Sequence, residues 1–197
     1  ELAPIVAQRV APFGDQCKVI VADVLAGKHA LNPQVLEALG DRAFKLIANL
    51  PYNVASPLLV NLAVDSPHWS GGVVMIQREV ADRLTASPGT RDYGPLTVMM
   101  QAACVVERLF VVPPGCFWPP PKLDSAVARM TRLVAPLTAN LHALAESVQR
   151  LFQHRRKQLG AILGRDAVLP PGVSHQTRPE ALTVDQLITL ARSEARP

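Results

Sequence analysis

The stretch Asn49–Leu59, NLPYNVASPLL, sets an asparagine, a proline and a tyrosine between two apolar runs, FKLIA (44–48) and LLVNLAV (58–64). Pro51 fixes one backbone angle and has no N–H, and it pushes Leu50 away from the helical region. The stretch therefore reads as a stiff turn after a parallel strand. Asn49 then stands at the carboxyl end of the sheet, the edge where open α/β sheets bind ligands. The carbonyls of Leu50 and Pro51 are expected to stay out of any helix. With the flat face of Tyr52 beside them, they form acceptors next to a stacking surface. A planar group carrying an amino function suits such a platform. Its two N–H donors go to the Asn49 side chain and a backbone carbonyl, and its ring stacks on Tyr52. A capped strand-to-helix turn with no ligand accounts for the same spacing.

Outward from this turn, short apolar runs alternate with helical segments. KVIVA (18–22), FKLIA (44–48) and GVVMIQ (72–77) show no in/out alternation, the pattern of parallel strands buried on both faces. PQVLEAL (33–39), SPLLVNLAV (56–64) and REVADRLTAS (78–87) read as helices between them. CVVERLFVV (104–112) and AVARMTRLV (126–134) read as neighbouring, partly antiparallel strands at one edge. This is the order of a βαβ sheet. After residue 134 the period changes. Leu141, Leu144, Val148, Leu151, Phe152, Leu159, Ile162 and Leu163 recur at helical spacing, with Arg150, Arg155, Arg156 and Lys157 beside them. Near the end, Thr183 and Gln186 have the spacing of a capping box. The expectation is an α/β domain over 1–134 and a small helical domain over 135–197.

Composition bounds the function classes. The chain has 197 residues, 49% hydrophobic and 18% charged, as in an ordinary globular protein. No run is long and apolar enough to cross a bilayer, and the opening ELAPIVAQRV resembles an amphipathic helix rather than a secretory signal. The chain does not begin with methionine, so a piece of a longer protein is expected. Cys17, Cys104 and Cys116 are scattered and odd in number, which suits a reducing cytosol and argues against a disulfide scaffold or a structural zinc site. Residues 1–130 are balanced in charge, so the whole excess of +4 lies beyond them. A basic stripe on the minor domain points to a polyanion, and a solvated helix face explains it equally.

Two further signals bear on the platform. Asp23 closes the run VIVAD and is expected at the same sheet edge, where a carboxylate accepts from an adenine or a ribose. A turn or helix cap is the plainer reading. In PPGCFWPPPKLDSAV (113–127), five prolines and two aromatics make a rigid arm. Phe117 or Trp118 would close over a stacked base opposite Tyr52, and one of such a pair usually fills a gap beneath its loop.

These residues resemble the ribosomal RNA adenine dimethyltransferases, the KsgA/RsmA family. The likeness lies in NLPYNVASPLL, VADVL (21–25), MIQREVADRL (75–84), YGPLTVMMQ (93–101), FWPPPKLDSAV (117–127), LFQHRRKQL (151–159) and RPEALTVDQL (178–187). The resemblance implies an α/β, Rossmann-like class I methyltransferase sheet, truncated at its N-terminus, with a small C-terminal α-helical domain. The family opens with a strand and a Gly-rich loop around the methionine end of S-adenosylmethionine, then an acidic motif for the ribose. The likeness begins after these, so the chain as it stands is expected to bind the donor poorly and a longer parent to bind it well.

By the same resemblance, Asp23 holds the donor's adenine and Asn49 touches both donor and target amine. The carbonyl of Leu50 or Pro51 takes the other amine proton, and Tyr52 and Phe117 sandwich the target adenine. Lys122, Arg150, Arg155, Arg156 and Lys157 bind RNA. The implied partner is small-subunit rRNA or an immature small subunit, met by a cytoplasmic monomer that needs no metal. A non-catalytic RNA-binding assembly factor of the same fold, and a related rRNA or DNA adenine methylase, are the alternatives.

Overall fold

A computed structural model describes residues 2–27 and 30–194, apart from the side chain of Tyr52. Helix α1 (Ala3–Val10) buries none of its residues, and α2 (Pro33–Leu39) starts where the Asn32 side chain accepts from the Gln34 N–H at 2.9 Å. The centre is a four-stranded sheet. Strand β1 (Phe44–Asn49) is followed by helix α3 (Tyr52–Asp65), strand β2 (Trp69–Gln77) and helices α4 (Arg78–Leu84) and α5 (Pro95–Ala103). Strands β3 (Cys104–Val112) and β4 (Ser125–Arg132) come next. Helices α6 (Leu141–Gln153), α7 (Leu159–Leu163) and α8 (Val184–Glu194) complete the chain. The strand order is β1-β2-β4-β3. β1 and β2 are parallel, as expected of a strand–helix–strand unit, and β4 runs antiparallel to both β2 and β3. The sheet is therefore mixed, with β4 inside it and β3 at the edge.

Two expectations are corrected. Residues 18–22 form no strand and lie largely exposed, with Val21 76% accessible. An apolar run becomes a strand only when a neighbour completes its ladder, and among the described residues none pairs with this one. Nor is β1 buried on both faces. It alternates between half-buried and exposed residues, and Ile47 is 82% accessible, because only one side of this strand is covered.

The covered side holds the core. Leu58, Leu59, Leu62 and Ala63 of α3 pack with Val74 and Ile76 of β2, Ala126, Ala128 and Met130 of β4, and Met99, Met100 and Ala103 of α5. Each buried leucine contributes about 1.5–3 kcal/mol relative to exposure. The backbones approach closely at the start of β2. A Cβ on Gly72 would lie 2.0 Å from the Leu46 carbonyl oxygen, and one on Gly71, where φ is +119°, 2.2 Å from that of Met130. Only glycine admits both contacts.

The same core continues into the C-terminal helices through Leu144, Val148 and Leu151 of α6 and Leu187 and Leu190 of α8. The capping box forms as read: the Thr183 N–H donates to Gln186 at 3.0 Å and the Gln186 N–H to Thr183 Oγ1 at 3.2 Å. Tyr93, fully buried before α5, donates its hydroxyl to the Leu182 carbonyl at 2.8 Å and rests its ring 6.1 Å from that of Phe152. Burial pushes its phenol above the ordinary range.

Candidate active site

The ladder between β1 and β2 ends at the pair Asn49–Met75, and the Leu50 N–H extends it by one bond to the Met75 carbonyl at 3.0 Å. Pro51 then turns the chain with φ −59° and ψ 147° and serves as the N-cap of α3. Its carbonyl accepts from the N–H groups of Val54 and Ala55, both at 3.1 Å. This corrects one reading: the Pro51 carbonyl does enter the helix, and both its lone pairs are taken. The Leu50 carbonyl has no partner among the described residues and is the acceptor left at this edge. The Asn49 amide, exposed at the strand end, is likewise without one. The expected stacking on Tyr52 lies outside the described residues.

Across from this turn runs the proline-rich arm between β3 and β4. A cleft of ≈ 310 Å³ opens between the two, bounded by Asn49, Leu50, Pro51, Met75, Phe117, Trp118 and Ser125, among others. Phe117 is half-buried and Trp118 is 95% exposed, so the phenyl ring sits within the cleft and the indole at its rim. No ionisable side chain lines this cleft among the described residues. Charge sits behind it. Arg78, the first residue of α4, pairs with Asp124 at 3.1 Å and Asp82 at 3.7 Å, Arg108 also reaches Asp82, and the Arg78 N–H donates to the Asp124 carbonyl. This network fixes the arm's return into β4.

Asn49, Leu50, Pro51 and Phe117 are thus brought together, while Asp23 is not among the cleft residues. Asp23 Oδ1 accepts from the Leu25 N–H at 2.9 Å in an exposed turn, a turn cap rather than a residue on the sheet edge. The strand that was to carry it there does not form. Met75 and Ser125 line the cleft without having been singled out. Met75 is the register partner of Asn49 on β2, and Ser125 opens β4 opposite Gln77, pairings that appear only once the sheet is assembled.

The basic residues divide. Arg150 pairs with Glu194 of α8, and Arg155 pairs with Glu180 and donates to the Thr90 carbonyl at 3.0 Å. Lys122 is exposed on the arm, and Arg156 and Lys157 are exposed without an ion pair among the described residues. The last two lie in a turn between α6 and α7, where one continuous basic helix was expected. His154 and Arg155 leave helical geometry there, and their N–H groups close short bonds to Leu151 and Phe152. A larger cleft of ≈ 590 Å³ lies at the joint around Tyr93. It carries Glu79, Arg83, Arg91, Asp92 and Arg155, and the Arg83–Glu79 and Arg155–Glu180 pairs hold its walls.

A mixed α/β sheet with a parallel strand–helix–strand unit and helices against it is a Rossmann-like fold. Solved structures carry the same fold. A dimethyladenosine transferase from Plasmodium falciparum superposes with a TM-score of 0.73 at 22% identity, over 96% of this chain and 76% of that one. The 23S rRNA methyltransferase ErmE gives 0.64 at 23% identity, over 97% and 77%. Residues 1–193 match the family model described as ribosomal RNA adenine dimethylase, and the chain belongs to that family. Ribosomal RNA small subunit methyltransferase A of Acidovorax ebreus (strain TPSY) is 38% identical over 195 residues, which is 98% of this chain and 76% of the relative. The protein of the same name from Janthinobacterium sp. (strain Marseille) is 40% identical over 151 residues, 75% of this chain and 59% of that protein's length.

Proposed function

We propose that this protein transfers methyl groups from S-adenosylmethionine to the exocyclic amino groups of two adjacent adenines. The target is the 3′-terminal hairpin loop of small-subunit rRNA, during ribosome assembly in the cytoplasm. The observation that carries this is the cleft in which the Asn49 amide and the Leu50 carbonyl, both without a partner among the described residues, share one space with Phe117. Residues 1–134 form the catalytic unit on this reading, and 135–197 bind RNA.

An exocyclic adenine amine is a poor nucleophile because its lone pair is delocalised into the ring. Asn49 and the Leu50 carbonyl accept its two protons and hold them out of the ring plane, which returns the lone pair to nitrogen. Phe117 covers one face of the extruded base and Tyr52 takes the other. For the donor, Asp23 keeps Oδ2 without a partner among the described residues, which fits an adenine amino group, and Asn49 fits the transferring end. When bound, the donor supplies a methyl group already activated on a cationic sulfur. The side chains therefore need only align nucleophile and methyl: the donor would leave as a neutral thioether, and the methylated nitrogen, now positively charged and acidic, would lose its proton to water, so no general base is called for. A loop adenine costs little to unstack. The open cleft leaves room for the mono-methylated amine to rotate before its second transfer. Arg156, Lys157 and Lys122 meet RNA phosphates. Arg150 and Arg155, held by carboxylates, position that surface.

The test is incorporation of labelled methyl groups into immature small subunits and duplex DNA by the full-length protein and its Asn49→Ala form. The reading requires transfer to the subunits, little to DNA, and loss of transfer with RNA binding intact in Asn49→Ala. RNA binding without transfer by the unsubstituted protein would instead establish a non-catalytic assembly factor.

A further inference from the structure

Phe117 and Trp118 are consecutive residues that border one cleft and differ sharply in burial. Phe117 is half-buried, while Trp118 is 95% exposed on an arm stiffened by Pro119, Pro120 and Pro121. The Phe117 backbone is extended, with φ −120° and ψ 154°, so the two side chains leave the chain in opposite directions. One base therefore cannot lie against both. An indole this large, left in water on a rigid arm beside a binding cleft, costs solubility and returns nothing to the fold. It does offer a flat π-face at the rim. Nucleotides that flank an extruded base in a hairpin loop are themselves unstacked, and proteins hold such bases by aromatic stacking. Exposed Lys122, four residues along the arm, supplies a cation for the connecting phosphate.

We infer that Trp118 is a positioning residue that stacks on the loop base adjoining the adenine held by Phe117, so that the enzyme grips two consecutive bases. This rests on the adenine-methylation reading above. The indole sets which nucleotide enters the cleft, and a partner base already on the rim places the second adenine one step from the first.

The chain contains two tryptophans, and the other, Trp69, is fully buried, so quenching by RNA reports on Trp118 alone. The probe is a hairpin RNA whose loop carries two adjacent adenines, titrated against the protein and against Trp118→Phe and Trp118→Ala. Both variants change a side chain that is 95% exposed, so the fold is retained. The expected result is quenching in the unsubstituted protein and none in Trp118→Phe. Affinity by fluorescence polarisation should fall roughly tenfold in Trp118→Ala and recover in Trp118→Phe. A second hairpin keeps one loop adenine and is abasic on both sides of it. It should bind without quenching and no longer distinguish Trp118→Ala. Quenching that persists with this hairpin would mean that Trp118 covers the target itself, and the inference fails. Tight binding to the first hairpin with no quenching and no effect of Trp118→Ala overturns it too, while leaving the methylation reading intact. Failure of every form to bind either hairpin overturns the two-base grip, while methyl transfer to immature small subunits decides the methylation reading separately.

Discussion

Replacing Tyr93 with Phe deletes one oxygen from the joint between sheet and C-terminal helices and leaves the ring in place. That oxygen donates to the Leu182 carbonyl at 2.8 Å, and both residues are buried. The bond itself contributes about 1 kcal/mol net, and the stranded carbonyl adds its desolvation, so a total loss of about 2 kcal/mol is expected. The assay is urea unfolding near neutral pH, read as a fall in midpoint at constant slope. The alkaline limb supplies a second arm. Burial raises the phenol's pKa above its ordinary 10.0, so with rising pH the unfolded chain gives up this proton first. The stability tied to Tyr93 is complete below pH 10 and is lost above it, at up to about 1.4 kcal/mol per pH unit. Tyr93→Phe should therefore start lower and descend less steeply beyond pH 10. A midpoint change worth less than about 0.5 kcal/mol would refute the role of the bond. An unchanged alkaline slope would refute the linkage.

Other outcomes can be checked in parallel. Burial pushes the Cys104 thiol up to about 11 against the opposing pull of Arg132, while Cys17 and Cys116 are exposed. A thiol reagent near pH 8 should thus titrate two cysteines at once and the third only after unfolding. Asp124→Asn breaks the ion pair with Arg78 at a partly exposed site and should cost less than about 1 kcal/mol by denaturation, yet lower methyl transfer by loosening the arm that carries Phe117. With no ionisable group lining the cleft among the described residues, single-turnover transfer on the proposed mechanism should be flat between about pH 7 and 9, and a bell-shaped profile would overturn the base-free mechanism. Thr183→Ala removes one half of the capping box on α8 and should destabilise by about 1 kcal/mol in urea titrations.

Local pattern carried much of this fold. The bounds of β3 and of α2 coincide with their apolar runs, and the Thr183 capping box follows from side-chain spacing alone. Partnership was less legible. Residues 18–22 have a strand's composition but no ladder, and nothing within five residues states whether a neighbour exists. Arg155 reads as a free cation until the fold brings Glu180, 25 residues later, against it. Asn49, Leu50 and Phe117 could be placed together because a rule about sheet edges applies to the first two and a rigid aromatic arm to the third. Which carbonyl stays open could not be read from the turn. It depends on α3 beginning at Tyr52, where Val54 and Ala55 claim the oxygen of Pro51.

That division of labour between two adjacent carbonyls has a consequence for how this protein varies. On the proposed mechanism, half of the amine-binding apparatus is main chain and no codon change can delete it. A saturation scan would score position 50 as permissive toward other apolar residues and miss its importance. The sensitivity would surface next door, where substitution of Pro51 frees residue 50 to turn helical and swing its oxygen out of register. Tolerance maps of such enzymes therefore report where an essential atom is aimed, and stay silent about which residue carries it.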